Sequence, residues 1–352
     1  MAIERVLVCE AQTPFVTGGA EHHVRSLVQE LIKQGYETSL VSVPFKSYPK
    51  TEILSHAAAW RLLDLSGGDG KSVDLLIATK FPTYFAGHPN KVAWLIHQYR
   101  PAYELCGTVF SDFHHTEFDL GLREQLINLD CEMLGECQRV FTNARNTSNR
   151  LQRYNGIASA PLYHPPRLAN RLRSGDYGDY FLSVGRLETI KRIDLLVKAM
   201  PWVDATVRLV VVGDGTQREP LEALAEELKV SDRIEFRGMV SDDVLVALYE
   251  GALAVAYAPY DEDYGYVTLE SFLARRPVVT AVDSGGTLEF VEDGVNGFVC
   301  EAEPEALAAS LNRIASDRRL ASSLGTAGFE RARDVTWEGV IERLVETPLV
   351  AL

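Results

Sequence analysis

Short apolar runs alternate with helical segments along this chain, and this alternation is the sequence feature that most restricts its fold. The first helical segment carries five apolar residues at the spacing of one helix face, namely Val24, Leu27, Val28, Leu31 and Ile32. Runs typical of buried strands precede and follow it: Arg5–Cys9, Thr38–Val43, Val73–Ala78, Val92–Ile96 and Arg139–Thr142. Strands that alternate with helices form a parallel sheet with helices on both faces. We therefore expect an α/β domain in this part of the chain.

A segment rich in proline and glycine, residues 155–179, separates this set of runs from a second one. The second set again consists of short apolar runs with helical segments between them: Tyr180–Val184, Val207–Val212, Ile234–Phe236, Leu253–Tyr257 and Val278–Val282. The length of the chain also favours two domains. We expect two doubly wound parallel-sheet domains, over residues 1–168 and 177–335, joined by a proline-rich hinge.

The composition is that of a soluble globular protein, with 46% hydrophobic and 24% charged residues among 352. The net charge of −14 argues against general binding of nucleic acid. The charge is uneven, because residues 1–170 have a balance of −1 and residues 171–352 a balance of −13. Contact with an anionic membrane or a polyanionic acceptor would therefore use the first half of the chain. An asymmetry that serves only solubility is the alternative.

Targeting and redox features favour the cytoplasm. The chain has no run of about eighteen apolar residues that could span a membrane, and Met1–Glu10 lacks the pattern of a secretory signal. The five cysteines are dispersed without the paired spacing of a metal site: Cys9, Cys106, Cys131, Cys137 and Cys300. An odd, scattered set fits buried thiols in a reducing compartment better than a disulfide framework.

The segment Ala258–Glu270 holds the densest group of candidate binding residues. An apolar run leads into it, three consecutive acids follow, and Gly265 stands just before an amphipathic segment, Val267–Arg275. A helix N-terminus offers free N–H groups and a positive dipole end to a phosphate. Glu262 and Glu270 could accept hydrogen bonds from sugar and ribose hydroxyls. The pattern suits a ligand made of sugar, diphosphate and ribose, and the alternative is a polar loop with two solvated glutamates.

The spacing of these residues resembles a known motif. Glu262, Gly265 and Glu270 resemble the Glu-x7-Glu motif of retaining glycosyltransferases, and the surrounding sequence is most similar to glycosyltransferase family 4. The usual sequence at this place in that family is Glu-Gly-Phe-Gly, whereas this chain has Glu262, Asp263, Tyr264 and Gly265. The resemblance implies that Glu262 holds the donor sugar and Glu270 the ribose. It also implies donor contacts along the helix start, at Asp263, Tyr264, Gly265, Tyr266 and Val267.

The resemblance covers nearly the whole chain and has consequences for the fold. It implies the GT-B fold, in which two Rossmann-like domains face each other across a cleft. In that family the last helix often crosses back to the first domain. The candidate here is the final segment, residues 336–352, with an amphipathic helix over Trp337–Val345.

A second segment, Ser183–Lys191, resembles the family's Gly-Arg-Leu…Lys sequence. Arg186 and Lys191 lie five residues apart across a predicted strand-to-helix turn, where both cations could reach one diphosphate. The resemblance implies that they stabilise the leaving group and act with Glu262 in catalysis. The alternative is a solvated basic turn, since Arg192 and Lys198 also lie nearby.

Two further segments resemble donor-binding loops of the family. Gly213 belongs to a glycine pair at the end of a strand, where a missing side chain lets the backbone approach a ligand. A plain turn is the alternative. Met239 and Val240 match the loop that packs on the nucleobase, and a core methionine is the alternative for Met239.

In the first domain, Gly18 and Gly19 resemble the family's glycine-rich loop beneath the phosphates or the acceptor. His97 follows a strand at the carboxyl edge of the sheet, where ligands bind. It resembles the family's catalytic-site histidine facing the donor sugar, with a structural hydrogen bond as the alternative. The pair His22 and His23 is expected at the surface rather than in a metal site.

Asp261 and Asp263 also match the Asp-x-Asp motif, the metal-binding signature of the other large glycosyltransferase fold. Arg186, Lys191 and a helix terminus already supply positive charge to a diphosphate. We therefore expect no obligatory metal and no other cofactor.

The sequence predicts a retaining hexosyltransferase that uses a nucleoside-diphosphate sugar, with mannose and glucose as first guesses. Its acceptor would be a hydroxyl of a glycan, a glycolipid or a small molecule, bound mainly by the first domain, with peripheral membrane contact as a further expectation. A nucleotide-sugar epimerase and a non-catalytic nucleotide-sugar-binding module are the alternatives. An NAD oxidoreductase is disfavoured because Arg218 stands where a dinucleotide fingerprint needs glycine.

Overall fold

The computed structural model describes residues 3–16, 18–68 and 70–345. The described chain forms two compact units. The first unit contains the residues up to His164 and those from Thr336 onward, and the second unit spans Pro165–Val335. The first of the two crossings between the units therefore falls inside the proline-rich segment.

The first unit is built around a six-stranded parallel sheet. Its elements are β1 (Arg5–Gln12), α1 (Gly19–Lys33), β2 (Glu37–Pro44), α2 (Ile53–Leu62), β3 (Gly67–Gly68), β4 (Lys71–Ser72), β5 (Leu75–Ala78), β6 (Lys91–Leu95), α3 (Glu117–Gly135), β7 (Arg139–Thr142), α4 (Arg145–Asn155) and β8 (Ala160–Pro161). The sheet order is β2-β1-β5-β6-β7-β8, and β3 and β4 form a separate antiparallel pair. The central strands β5 and β6 are buried along their whole length, as expected for a sheet covered on both faces.

Helix α1 packs one face against the core of the first unit. Val24, Leu27 and Leu31 are buried, as their spacing predicted, whereas Ile32 is 53% exposed. The core-facing stripe is therefore narrower than predicted. The helix begins after Gly18, whose N–H donates to the carboxylate of Glu21 at 2.9 Å and so closes the first turn.

The second unit repeats the architecture. Its elements are β9 (Tyr180–Val184), α5 (Ile193–Ala199), β10 (Arg208–Val212), α6 (Arg218–Glu227), β11 (Ile234–Phe236), α7 (Asp242–Gly251), β12 (Ala254–Ala256), α8 (Tyr266–Leu273), β13 (Val278–Ala281), β14 (Gly297–Cys300), α9 (Pro304–Ser316) and α10 (Arg318–Ala332). The strands pair in parallel in the order β11-β10-β9-β12-β13-β14. Both units thus have the predicted parallel-sheet α/β architecture.

The final described helix, α11 (Glu338–Val345), belongs to the first unit. Val340, Ile341 and Leu344 are buried in its core. The guanidinium of Arg139, on β7, donates to the carbonyl of Leu344 at 3.1 Å. Residues 346–352 of the predicted final segment lie outside the described residues. Within the described ranges, no helix is long and apolar enough to span a bilayer.

Candidate functional site

The sheet of the second unit changes its winding direction between β9 and β12. From β9 the chain adds β10 and β11 on one side, and then returns to add β12, β13 and β14 on the other. Ligands of such sheets bind beyond the carboxyl ends of the two strands at this point. The segments that leave these strands carry Arg186, Lys191 and Glu262. The fold therefore places three of the predicted catalytic residues at one edge of the second unit.

Gly265 makes the turn from the loop after β12 into helix α8. Its φ of 77° lies in the left-handed region, and an added Cβ would come within 3.0 Å of the Thr287 hydroxyl oxygen. Both observations favour glycine at this position. Helix α8 begins at Tyr266, one residue before the predicted start, so the free N–H groups of its first turn follow directly on the acidic loop.

The acidic loop is attached to the segment that follows β13. The Asp261 N–H donates to the Asp283 carbonyl at 2.9 Å, and the Gly286 N–H donates to the Glu262 carbonyl at 2.7 Å. The contact at Gly286 is close, because an added Cβ would lie 2.2 Å from the carbonyl oxygen of Asp263. These contacts fix the backbone that carries the Glu262 side chain.

Lys191 and Glu262 form an ion pair between the segments that leave β9 and β12. The Lys191 ammonium donates to Oε2 of Glu262, and the two side chains are only 15% and 18% exposed. Burial and the neighbouring Glu262 raise the pKa of Tyr257 well above its usual value, so this phenol stays protonated beside the carboxylate. An ammonium has three N–H donors, and each carboxylate oxygen can accept more than one hydrogen bond. The pair can therefore meet a ligand that carries an anionic group next to hydroxyls.

Arg186 and Lys191 differ in their surroundings. Arg186 is exposed on the segment after β9, whereas Lys191 is partly buried and engaged with Glu262. The alternative of a solvated basic turn is therefore wrong for Lys191, while the role of Arg186 stays a prediction.

Arg192 is a structural member of the site that the sequence analysis missed. Its guanidinium donates to the carbonyls of Ala258 and Pro259 at 2.8 and 2.9 Å. The same side chain forms a two-pronged ion pair with Asp283, at 2.8 and 2.6 Å. Arg192, which directly follows Lys191 in the sequence, therefore connects this segment to the loop that carries Glu262. Its partners are two backbone carbonyls and a distant aspartate, which no spacing rule reveals.

Three glycines bring neighbouring loops together at the same edge of the sheet. The Gly213 N–H donates to the Gly238 carbonyl at 2.9 Å, and an added Cβ at Gly213 would lie 1.9 Å from the Gly185 carbonyl oxygen. The segments that leave β9, β10 and β11 thus contact each other through their backbones. Met239 follows Gly238 and is 77% exposed, so the alternative of a core methionine is wrong. Val240 is partly buried.

Glu270 is buried in helix α8, so the alternative of a solvated glutamate is wrong for it. The hydroxyl of the buried Tyr249 donates to its Oε2 at 2.8 Å. Burial raises the pKa of Glu270 to about 7, although the hydrogen bond from Tyr249 and the charge of Arg167 lower it. This carboxyl group therefore titrates near neutral pH.

The other residues predicted at the donor have mixed exposure. Tyr264 and Val267 are buried, and the Tyr264 ring packs edge-on against Tyr266 and Phe290 at 5.1 and 5.6 Å between centroids. Tyr266 and Asp263 are partly buried. Because Tyr264 points into the unit, a ligand could meet it only through its backbone.

In the first unit, the predicted site residues lie where the strands end. Gly18 and Gly19 open helix α1, and the Glu21 carboxylate that accepts from Gly18 also accepts from the Lys80 ammonium at 2.7 Å. His97 follows β6, and its Nδ1 lies 2.8 Å from the Gln98 carbonyl oxygen. The structural hydrogen bond considered for His97 is thus present, and its role at the site stays a prediction.

His23 corrects an expectation, because it is buried rather than at the surface. Its ring lies 4.1 Å from that of Trp94 and 4.3 Å from that of His164. Burial and the neighbouring His164 hold the pKa of His23 well below its usual value. His23 and the core residue Leu27 are four positions apart on one helix face, a signal that could have predicted this burial. In the described ranges, no group of three or more His, Cys, Asp or Glu side chains could hold a metal ion.

The second unit matches a known family. Residues 168–331 match the sequence model described as Glycosyl transferases group 1. This range nearly fills the second unit, Pro165–Val335, so the similarity to group 1 glycosyl transferases lies in that unit.

Curated relatives extend the similarity. The chain is 27% identical over 345 residues to an uncharacterized glycosyltransferase of Methanocaldococcus jannaschii, a match that covers 86% of this chain and 87% of that protein. It is 32% identical over 181 residues to a D-inositol 3-phosphate glycosyltransferase of Acidothermus cellulolyticus. That match covers 48% of this chain and 40% of the relative, so the chain spans less than half of the relative's length. These similarities support the glycosyltransferase class and do not favour the epimerase or the binding module.

Among solved structures, HepE of Anabaena in complex with UDP and glucose has a TM-score of 0.69. The superposition covers 97% of this chain and 98% of that one, at 16% sequence identity. At this identity the likeness concerns the fold alone. It confirms the predicted GT-B fold, with two Rossmann-like α/β domains.

Proposed function

We propose that this chain is a retaining glycosyltransferase that moves a hexose from a nucleoside-diphosphate sugar to an acceptor hydroxyl. The observation that carries the proposal is the Lys191–Glu262 ion pair, which lies at the sheet edge where ligands bind, in the unit that is similar to group 1 glycosyl transferases. A sugar diphosphate presents hydroxyls and a phosphate on either side of the bond that breaks. A paired carboxylate and ammonium match these two groups.

The leaving diphosphate would be stabilised by charge. Breaking the sugar–phosphate bond develops positive charge on the sugar ring and negative charge on the diphosphate. The ammonium of Lys191, the exposed guanidinium of Arg186 and the N–H groups at the start of α8 are the donors for that negative charge. With this supply of positive charge, we propose that transfer needs no divalent metal.

The rest of the donor would lie along the same edge. The Glu262 carboxylate would accept from sugar hydroxyls, and Glu270 would accept from the ribose. The backbone near Gly213, Met239 and Val240 would contact the nucleobase. HepE of Anabaena binds UDP and glucose, which supports testing a uridine donor first, and the family resemblance adds GDP-mannose.

The acceptor would bind mainly to the first unit, near Gly18, Gly19 and His97. None of the residues predicted at the site is an evident covalent nucleophile, so we propose a front-face path in which the leaving phosphate accepts the proton of the acceptor. A cytoplasmic location, with the less acidic first half of the chain near a membrane surface, fits a glycan or glycolipid acceptor.

The experiment is a thermal-shift panel of UDP-, GDP- and ADP-sugars, followed by product analysis with the donor that stabilises the protein. We expect one nucleotide class to stabilise, and NMR of the product to show the donor's anomeric configuration. An isomerised nucleotide sugar formed without acceptor would support the epimerase instead. Donor binding without hydrolysis or transfer, across a set of glycan and lipid acceptors, would support the binding module.

A further inference from the structure

Side chains from α7 and from the proline-rich segment act on Glu270, one by a hydrogen bond and two by charge. Tyr249, which lies on α7 and is fully buried, donates its hydroxyl hydrogen to Glu270 Oε2 at 2.8 Å. Arg167 belongs to the proline-rich segment and forms a bidentate ion pair with Asp242, the first residue of α7. In this pair Nη2 of Arg167 lies 2.6 Å from Oδ1 of Asp242. The charges of Arg167 and Asp242 act on Glu270 in opposite directions.

The hydrogen bond from Tyr249 occupies one carboxylate oxygen and leaves Glu270 Oε1 for a ligand. An ionised carboxylate only accepts hydrogen bonds, which suits the two neighbouring hydroxyls of a ribose. A protonated carboxyl group gives up part of this accepting capacity. Glu270 can therefore hold a ribose fully only in its charged form, and burial works against that form.

Several described side chains of the second unit interact with Glu270. They are Tyr249 and Asp242 on α7, Arg167 before β9, Tyr257 after β12, and Tyr266 on α8. Burial raises the pKa of the three phenols well above the usual value, so they stay neutral. The charges that act on the carboxylate therefore come from Arg167 and Asp242.

We propose that Tyr249 and Arg167 are positioning residues for the donor's ribose: the Tyr249 hydroxyl orients the Glu270 carboxylate through its hydrogen bond, and the charge of Arg167, held in place by Asp242, favours the ionised form, so that donor affinity falls as the solution becomes acidic. The proposal rests on the proposed function, in which Glu270 meets the ribose. Its direction follows from the charges: the phenol and the guanidinium favour the carboxylate form, and the Asp242 carboxylate opposes it.

The pH window follows from the pKa of Glu270, which burial raises to about 7. Above this value the free protein holds the carboxylate and affinity is constant. Below it, binding must first remove a proton, so affinity falls by up to about tenfold for each pH unit. The hydrogen bond from Tyr249 and the charge of Arg167 set the midpoint lower than burial alone would, and Asp242 sets it higher.

The test measures donor affinity by calorimetry from about pH 5.5 to about pH 8.5, a range that spans neutral carboxyl titration. The probes are UDP-glucose, GDP-mannose and ADP-glucose, which share the ribose. Their phosphates are all esterified, so they lack the titrating terminal phosphate of a free nucleoside diphosphate. The variants are Tyr249→Phe, Arg167→Gln, Asp242→Asn and Glu270→Gln. Asp243→Asn is the matched control, because Asp243 is 89% exposed and pairs with Arg171 instead.

We expect Tyr249→Phe and Arg167→Gln to move the midpoint of the affinity profile up by about one pH unit. Asp242→Asn should move it down, Glu270→Gln should flatten the profile, and Asp243→Asn should leave it unchanged. A purely structural role would weaken binding at every pH without moving the midpoint. Thermal unfolding shows whether each variant is folded. If Arg167→Gln does not fold, Tyr249→Phe still tests the proposal, because it keeps the buried aromatic ring and removes only the hydroxyl.

Two results would overturn the inference. A wild-type affinity that does not change with pH, or a midpoint that stays in place in Tyr249→Phe, would exclude the positioning role and leave the proposed function standing. Wild-type protein that binds none of the three donors at any pH would overturn both proposals together.

Discussion

Replacing Lys191 with alanine tests the leaving-group assignment, which carries the proposed mechanism. The wild-type ammonium lies beside the Glu262 carboxylate in a site where both side chains are largely shielded from water. Negative charge on the diphosphate grows between the ground state and the transition state. An ammonium already in place stabilises that charge without rearrangement.

The expected loss is large. Removing one preorganised stabiliser of this kind costs about 2.7–4 kcal/mol, or roughly a hundredfold to a thousandfold in turnover. Two unit charges about 4 Å apart near a protein surface interact by about 4 kcal/mol, which is of the same size. Part of the loss should appear as weaker donor binding, because the ground-state diphosphate is already anionic. In Lys191→Ala the negative charge of Glu262 is no longer balanced by the neighbouring ammonium and repels the diphosphate, so the double variant with Glu262→Gln should bind donor better than Lys191→Ala alone.

The assay is steady-state transfer kinetics with the donor identified by the thermal-shift panel. Lys191→Arg and Arg186→Lys should both remain impaired, because a planar fork and a point charge differ in reach and geometry. Lys198→Ala is the matched control, since this lysine is exposed on α5 and pairs with Asp194 one turn away at 2.8 Å. It should keep wild-type kinetics. Circular dichroism confirms that each variant is folded.

Near-normal turnover in folded Lys191→Ala would refute the reasoning. The lysine would then serve only to hold Glu262, and the diphosphate site would have to lie elsewhere. A loss in donor affinity with unchanged turnover would assign Lys191 to ground-state binding alone.

Three further predictions concern the ligand, the metal and the stability of the first unit. Glu270→Ala should weaken binding of the free nucleoside diphosphate while Glu262→Ala should chiefly slow transfer, and undiminished affinity in the Glu270 variant would remove the ribose assignment. Transfer should survive EDTA, and activity that disappears on chelation and returns with Mn²⁺ would revive the Asp-x-Asp interpretation. Burial raises the pKa of Asp130 to about 7. The folded state therefore binds more protons than the unfolded state between about pH 4 and about pH 7, and stability should fall as the pH rises through this window, by up to about 1.4 kcal/mol per unit. Denaturant unfolding of Asp130→Asn should lack this slope, and an identical slope in both proteins would place the titration elsewhere.

The sheets could be predicted because most of their strands are short, mainly apolar runs separated by helical segments. The predicted runs Arg139–Thr142, Tyr180–Val184 and Ile234–Phe236 coincide with observed strands. The edge strands β8 and β14 were not predicted. They are only partly buried, β8 has two residues of which one is proline, and little in such a segment distinguishes a strand from a loop.

The charged residues of the candidate site could also be predicted from the sequence, but the neighbouring residues that hold them in place could not. The motif spacing identified Lys191 and Glu262, and the structure brings them into contact. It gave no sign of Arg192, whose partners lie 66 to 91 positions away. Tyr249 was missed for the same reason, since a buried phenol in a helix is ordinary core until its hydroxyl is seen to meet a carboxylate.

The ion pair of Lys191 and Glu262 is held by backbone contacts that do not depend on the pair itself. The Tyr260 N–H donates to the Ile190 carbonyl at 2.9 Å, just before Lys191. Just after Lys191, the Arg192 side chain donates to the carbonyls of the loop that carries Glu262. The lysine therefore stands between two anchored neighbours. Such anchoring fixes the two charges before any ligand arrives, which is the condition under which charge stabilises a transition state most effectively. A motif can specify the ammonium and the carboxylate, but their geometry comes from contacts between segments far apart in the chain.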